Sequence, residues 1–237
     1  MKRILPVVFV FFAVASFAQT PELPTSGILR MGLTLSPDIC YRTLSTESPT
    51  SQVIIDTRNE IEVPMLGFTA GFGVIFQLHR RLALETGLKL SNNSQKRKTV
   101  LLTDLSGETL GEGRTTDRRY YFDIPVQINY SLIDKRVGLF ISAGLSPGLY
   151  LSSGMTTRAD FIDGSSGVTK TRGRESGVSV FNVAAIGGIG LDLDITDHLE
   201  LRAGPVFRYS LLPLFPDVSI NQYNYSLGGS LGLFYEL

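Results

Sequence analysis

Bulky apolar residues alternate with polar or small residues along most of this 237-residue chain. In the segment YYFDIPVQINYSL (120–132), every second residue from Phe122 to Leu132 is bulky and apolar. A two-residue period is typical of a β-strand with one apolar and one polar face. Such strands build either a soluble β-protein with an apolar core or a membrane barrel whose apolar face contacts lipid.

The same alternation recurs in seven further segments, which predicts eight amphipathic strands. The other seven cover residues 28–41, 65–78, 82–90, 137–151, 179–195, 199–211 and 223–237. Short turns at 79–81, 133–136 and 196–198 alternate with long polar connections at 42–64, 91–119, 152–178 and 212–222. Outer-membrane barrels show this asymmetry between short periplasmic turns and long extracellular loops. We therefore predict an all-β, eight-stranded antiparallel up-and-down transmembrane β-barrel over residues 28–237.

The polar face of these strands is rich in Gly, Ser, Thr, Asn and Gln, which suits the crowded interior of a narrow barrel. Isolated charges on this face are expected to pair across the lumen as a structural network, because an unpaired buried charge is costly. The predicted network comprises Arg30, Glu85, Lys89, Asp123, Asp192, Asp194, Glu200, Arg202, Arg208 and Glu236. The inward bulk of Phe140, Tyr150 and the arginines predicts a lumen closed to sizeable solutes.

Three polar-face positions of the predicted strands carry specific expectations. The Asp192–Asp194 pair near Glu200 permits acid–base or calcium chemistry, but we favour a carboxylate ladder neutralised by Arg202 and Arg208. A closed barrel has no edge strand for Pro125, so a bulge or a rim position is expected there. With Asn129 assigned to the polar face, Asn129→Ser is expected to be nearly neutral.

The N-terminus has the layout of a secretory signal peptide. Two basic residues precede a short apolar run, and the small-residue sequence ending at Ala18 predicts cleavage before Gln19. A membrane anchor is disfavoured because the run is short for a helical span. We expect a signal peptide at 1–18, a short periplasmic segment at 19–27, and the barrel in the Gram-negative outer membrane.

Few residues of the chain suit catalysis or cofactor binding. Lys and Arg equal Asp and Glu at 22 each, so no overall charge indicates nucleic acid. The single cysteine, Cys40, excludes an internal disulfide and a cysteine metal cluster. Both histidines, His79 and His198, lie in short turns, away from the long loops where a surface hydrolase would need them. We expect no enzymatic activity, metal or cofactor, with a small outer-membrane enzyme acting on lipid or peptide, and a soluble lipocalin-like barrel, as alternatives.

Several short motifs recur along the predicted strands. They are YFDIPV (121–126), GLSPGLY (144–150), GIGLD (188–192) with LELR (199–202), and SLGL (230–233). Together they resemble the motifs of the PorT-like outer-membrane β-barrel proteins of Bacteroidetes. The resemblance implies an eight-stranded outer-membrane barrel and leaves its biochemical role open. One branch of that family is linked to type IX secretion. We expect a membrane anchor, surface-binding module or envelope and secretion accessory, whose partners are outer-membrane lipid, lipopolysaccharide and envelope or secretion proteins.

Overall fold

The computed structural model describes residues 29–103, 106, 108–216 and 218–237. The predicted signal peptide, the segment 19–27 and Ile28 lie outside the described residues. Within those residues the elements are β1 Leu29–Thr46, α1 Pro49–Ile61, β2 Glu62–His79, β3 Leu82–Arg97, β4 Val100–Thr103, β5 Thr109–Asp123, β6 Val126–Ile133, β7 Val137–Phe161, β8 Ser166–Gly173, β9 Phe181–Thr196, β10 Leu199–Ser210 and β11 Ile220–Glu236. No helix in the described part of the chain has the length and hydropathy of a membrane-spanning helix.

In the described residues, eight strand positions close into a ring. Strands β1, β2, β3, β7, β9, β10 and β11 fill seven of them, and β5 and β6 together fill the eighth. Each position pairs antiparallel with its neighbours in the chain, and β1 closes the ring against β11. The predicted eight-stranded antiparallel up-and-down barrel is therefore confirmed.

The register around the ring fixes the shape of the barrel. Following paired residues once around from Tyr225 of β11 leads back to β11 at Tyr235, ten residues further along. For eight strands, a stagger of this size corresponds to a strand tilt of roughly 40°. A barrel of these dimensions has an interior that side chains nearly fill.

The break between β5 and β6 lies at Ile124 and Pro125, in the middle of a strand position. The register on β7 runs from Asp123↔Gly148 to Val126↔Leu145, so both strands contribute two residues to the gap. The sequence predicted a bulge or a rim position for Pro125. In the structure Pro125 lies in the middle of the wall, and neither strand has an extra residue there. Because proline has no N–H group to donate, the ladder of hydrogen bonds is interrupted at this point, but the register does not change.

The barrel has two unequal ends. We call the side with the connections at 80–81, 134–136 and 197–198 the turn end, and the opposite side the loop end. The long connections at the loop end, predicted only as polar loops, contain α1 and regular strand. The hairpin of β4 with β5 and the hairpin of β7 with β8 continue the ladder beyond the ring. Strand β8 and the part of β7 that pairs with it are mostly polar on both faces, and β4 is apolar but only four residues long, so neither hairpin carries the long alternating stripe that marks the other strands.

Large apolar side chains form a continuous exposed belt around the outside of the ring. Leu33 and Leu66, for example, each leave 70% of their surface exposed. The belt includes Leu35, Ile39, Phe68, Phe72, Phe76, Leu78, Leu88, Leu90, Val126, Ile128, Leu132, Val137, Ile141, Leu145, Leu149, Ile189, Leu191, Leu193, Phe207, Leu227, Leu231 and Leu233. Exposure of so much contiguous apolar surface marks a membrane-contacting wall.

Tyrosine side chains border the belt toward the loop end. Tyr41 meets Tyr225 edge-on at 6.0 Å between ring centroids, and Tyr209 stacks on Tyr223 at 6.3 Å. Aromatic girdles of this kind lie at the two interfaces of transmembrane barrels, where a ring with a polar tip suits the headgroup region. The apolar face of each strand therefore points outward and the polar face lines the lumen.

Candidate functional site

The centre of the lumen is an ion network around Arg202. The guanidinium lies 3.3 Å from Glu85 through Nη1 and 3.1 Å from Glu200 through Nε, although this second contact is too poorly aligned for a hydrogen bond. Its Cζ sits 3.8 Å from the ring centroid of Phe140. Three different strands thus hold one cation, because β3, β7 and β10 all point these polar-face residues inward.

The network extends in both directions from Arg202. Toward the turn end, Arg30 contacts Glu200 and Glu236, each at 3.1 Å. Toward the loop end, Lys89 lies 3.5 Å from Glu85. Each carboxylate next to Arg202 therefore has a second cation, as the cost of burying a lone charge requires.

A second group of charges lies in the lumen nearer to the loop end. Arg208 donates to Asp38 Oδ1 at 2.9 Å, and Thr69 donates to Asp38 Oδ2 at 2.6 Å. Ser91 donates to Asp123, whose neighbour across the strand pair is Lys89. Asp38 was missed from the sequence although it shares the inward alternation of Ser36 in β1.

Asp192 and Asp194 differ from the expected carboxylate ladder. Within the part of the chain that is described, neither residue forms an ion pair, since Arg202 is engaged by Glu85 and Glu200. Both acids line an open recess at the turn end together with Arg30 and Glu200. They lie close enough to the rim for water to solvate their charge. The described residues also contain no group of three potential metal ligands from histidine, cysteine and acidic side chains.

Apolar side chains that point inward close the lumen at two levels. Near the turn end, Ile75, Ala83 and Phe234 pack together, and Ile75 and Phe234 are almost fully buried. Toward the loop end, a second buried cluster comprises Tyr121, Tyr150, Val178 and Leu214. Between them the lumen encloses a cavity of about 90 Å³. A cavity of this volume has room for a few water molecules.

Helix α1 is fastened to the loop end by Glu62. This residue lies four positions beyond Leu66, the last exposed large apolar residue of β2 in that direction, and so outside the membrane-spanning segment. Its carboxylate accepts hydrogen bonds from Arg42 at 2.7 Å and from Arg58 of α1 at 2.8 Å. Burial raises the pKa of Glu62, but the hydrogen bonds and charges of Arg58 and Arg42 outweigh burial and hold the pKa below its ordinary value. Arg58 also donates to Gln222 of β11, the strand that pairs with β1, so the helix is tied to a third strand of the mouth.

Both histidines occupy the turn end. His79 ends β2 and His198 lies in the turn before β10, where its ring is 6.0 Å from that of Tyr235. Among the described carboxylates at the loop end, Glu175 pairs with Arg119 at 2.9 Å and Asp160 with Arg114 at 3.5 Å. Neither of these histidines lies near these two described carboxylates.

The family model described as "Outer membrane protein beta-barrel domain" matches residues 17–216. The chain belongs to this family. It is therefore a protein of the outer membrane, and its apolar belt is the surface that meets lipid. No curated protein matches the chain.

Several solved outer-membrane barrels are similar to this family member. Neisserial surface protein A is 11% identical, with 87% of this chain and 97% of that chain covered and a TM-score of 0.46. OprG from Pseudomonas aeruginosa is 9% identical, with 90% and 96% covered and a TM-score of 0.43. The outer membrane protease OmpT from Escherichia coli is 9% identical, with 93% and 100% covered and a TM-score of 0.47. No activity is transferred from any of them at these identities.

Proposed function

We propose that this outer-membrane barrel is a non-enzymatic surface-binding module, anchored by its wall and carrying its loop end outside the cell. The observation that supports this role is the difference between the lumen and the loop end of the barrel. The lumen is filled by ion pairs and two apolar clusters, whereas α1 and the two hairpins present folded surface at the loop end. Transport of a sizeable solute needs an open lumen, and surface binding needs only the wall and the loop end.

The orientation follows the asymmetry of the connections. Transmembrane barrels have short turns on the periplasmic side and longer loops outside. The hairpin of β7 and β8 turns at Gly164, which has a φ of 84° and open space around its Cα. An epitope inserted after Gly164 should therefore be accessible to antibody on intact cells, whereas the matched insertion after Arg80 should require permeabilised cells. The reverse pattern would overturn the orientation.

The absence of activity is proposed from the position of the charged groups. An enzyme acting on lipid or peptide at the cell surface needs a base beside a nucleophile at the loop end. Both histidines lie at the turn end, and the loop-end acids Glu62, Asp160 and Glu175 are each engaged by an arginine. Purified barrel should hydrolyse neither lipopolysaccharide acyl chains nor a mixed peptide library. Turnover by the wild-type protein, lost on substitution of a loop-end acid such as Glu175, would replace this proposal with the enzymatic alternative.

The finer family placement is also a proposal. The motifs YFDIPV (121–126) and GLSPGLY (144–150) lie where β5 gives way to β6 and in the facing part of β7, so they form one patch of the wall. Their agreement with PorT-like proteins supports membership of that branch in Bacteroidetes, with outer-membrane lipid, lipopolysaccharide and envelope or secretion proteins as partners. Co-purification of a secretion component with the detergent-extracted barrel would favour the accessory role over a stand-alone surface role.

A further inference from the structure

Strands β5, β7 and β8 form a sheet at the loop end, and one of its faces is strongly basic. Three rows of register partners cross this sheet: Arg118, Gly154 and Arg172; Thr116, Thr156 and Lys170; and Arg114, Arg158 and Val168. Register partners in antiparallel strands project to the same face. We call this face, with its five cations, the outer face.

The outer face continues the lipid-facing wall beyond the ring, at the loop end. In β5 the even-numbered residues from Phe122 to Arg118 share one side of the strand. Phe122 pairs with Leu90 and Leu149, and both leucines belong to the exposed belt. A register shift in β7 at Leu151 keeps the two strands in phase beyond this point. The odd-numbered residues turn to the lumen side, where Arg119 is buried.

The positive charge of the outer face is compensated only at its far edge. Asp160 lies 3.5 Å from Arg114 and 3.8 Å from Arg158. Arg118, Lys170 and Arg172 are exposed, and among the described residues they form no ion pair. The three uncompensated cations are therefore the ones closest to the belt.

Gly154 leaves an open floor between these cations. A Cβ placed at Gly154 would meet only Arg172 Cγ and the Thr171 carbonyl oxygen, both at 3.9 Å. Arg118 and Arg172 stand on the strands to either side, about 10 Å apart at two interstrand spacings. A groove of about 650 Å³ continues upward over Arg114, Thr116, Thr156, Arg158, Val168 and Lys170. Two guanidiniums, an ammonium and two hydroxyl groups around an open floor match the oxygens of a phosphate monoester.

The height of the groove identifies its occupant. Arg118 lies four residues beyond Phe122, which is about 13 Å along the strand and about 10 Å along the membrane normal at this tilt. The headgroup layer is roughly 5–7 Å thick on each side of the hydrocarbon core, and long cationic side chains reach toward it. We propose that the outer face binds the phosphate groups of lipid A, the anionic glycolipid anchor of lipopolysaccharide in the outer leaflet. In the cell this inference rests on the proposed orientation.

Titration of the detergent-solubilised barrel with lipid A tests the site without reference to orientation, which the epitope insertions test separately. Binding is measured by native mass spectrometry for bisphosphorylated and for fully dephosphorylated lipid A. In the test variant, Arg118→Gln, Lys170→Gln and Arg172→Gln are combined. Its Kd for bisphosphorylated lipid A should be roughly a hundredfold weaker, because one interfacial cation contributes about a fivefold effect. Gly154→Val retains every charge but fills the floor, and should weaken binding roughly tenfold, the loss of one charge-assisted hydrogen bond.

The matched control removes three cations from the turn end through Arg81→Gln, Lys135→Gln and Arg136→Gln. This variant should bind like the wild type, and dephosphorylated lipid A should not bind to any protein. Equal affinities of the wild type, the control and both outer-face variants would overturn the site. Gly154→Val decides the matter if the triple variant does not fold. Binding of inorganic tripolyphosphate as tight as that of lipid A would overturn the lipid assignment and indicate a soluble anion instead.

Discussion

Replacement of Arg202 by methionine is the perturbation that most directly probes the lumen network. Arg202 is 8% exposed and contacts two carboxylates and one aromatic ring. Methionine retains much of the packing against Phe140 but removes the charge. Glu85 and Glu200 then share their buried environment with one cation each, Lys89 at 3.5 Å and Arg30 at 3.1 Å.

The expected loss of stability follows from these remaining partners. Removing one member of a buried ion pair costs about 3–5 kcal/mol when the other charge is left uncompensated. Because both carboxylates keep a second cation, we expect a value near the lower end, about 3 kcal/mol. In a double-mutant cycle, adding Glu85→Gln should restore about 1–2 kcal/mol of the stability lost in Arg202→Met. The second substitution removes the carboxylate charge that the first one leaves without its arginine.

The measurement is reversible urea unfolding in lipid vesicles. The chain has no tryptophan, so unfolding is followed by far-UV circular dichroism and by the heat-modifiable mobility of folded barrels on gels. Arg80→Met is the matched control, because Arg80 is largely exposed in its pair with Asp134 and should lose less than about 1 kcal/mol. If the free energy of unfolding of Arg202→Met lay within about 0.5 kcal/mol of the wild-type value, the network would be refuted as a stabilising element.

Three further predictions concern facing, packing and pH. Ile128→Arg should reduce the free energy of unfolding by about 2–4 kcal/mol, because it places a charge on the lipid face. The sequence predicted a nearly neutral Asn129→Ser, but Asn129 donates a hydrogen bond to Glu85 at 3.0 Å, so we now expect a loss of about 1.5–3 kcal/mol. Unfolding in vesicles checks both values, and a neutral Asn129→Ser would contradict this contact. Phe234→Ala should cost about 3–5 kcal/mol by opening a cavity in the turn-end cluster, whereas Phe207→Ala on the exposed belt should cost clearly less in the same assay. The lowered pKa of Glu62 stabilises the attachment of α1 above the unfolded pKa of about 4.3, and this stabilisation is lost as the pH falls through the lower folded pKa. Proteolysis of α1 should therefore accelerate below pH ~4 in the wild type but not in Glu62→Gln, and identical pH profiles would contradict it.

The ring of strands was predictable because alternation is a geometric property of the strand itself. Side chains such as Ile128 and Asn129 must point to opposite faces whatever their partners are. What the pattern could not provide is the role of apolar residues on the polar face. Ile75 and Phe234 follow the inward parity, but in sequence they merely look like extra apolar residues, and only the closed ring brings them together.

Ion-pair partners were not predictable from the sequence, because they depend on the stagger of the closed barrel. Arg202 has Asp192 as its register partner in β9, yet it engages Glu85 across the lumen. Glu62 was missed for a different reason. It has the same parity as lipid-facing Leu66, but a register shift in β2 between Pro64 and Phe68 reverses that parity and turns the Glu62 carboxylate toward Arg42.

The loop end was the least predictable part because none of its strand segments carries a long alternating apolar face. Strand β8, with the sequence SGVTKTRG, is exposed at every position and is held by backbone hydrogen bonds to β7. Helix α1 had a start signal in Ser48 followed by Pro49 at its first turn. That signal is weak within a polar connection, since most helical stability comes from tertiary packing.

Spin-label accessibility in bilayers tests most directly that the apolar face of the barrel meets lipid. Labels at positions 128 and 201 are placed on the wall, and a label at position 142 lies in the lumen as the control. We predict high accessibility to lipid-dissolved oxygen at 128 and 201, with little accessibility to an aqueous nickel chelate, and low oxygen accessibility at 142. Protection of 128 and 201 from both quenchers would mean that these residues form a buried protein core, and it would contradict the outward-facing barrel.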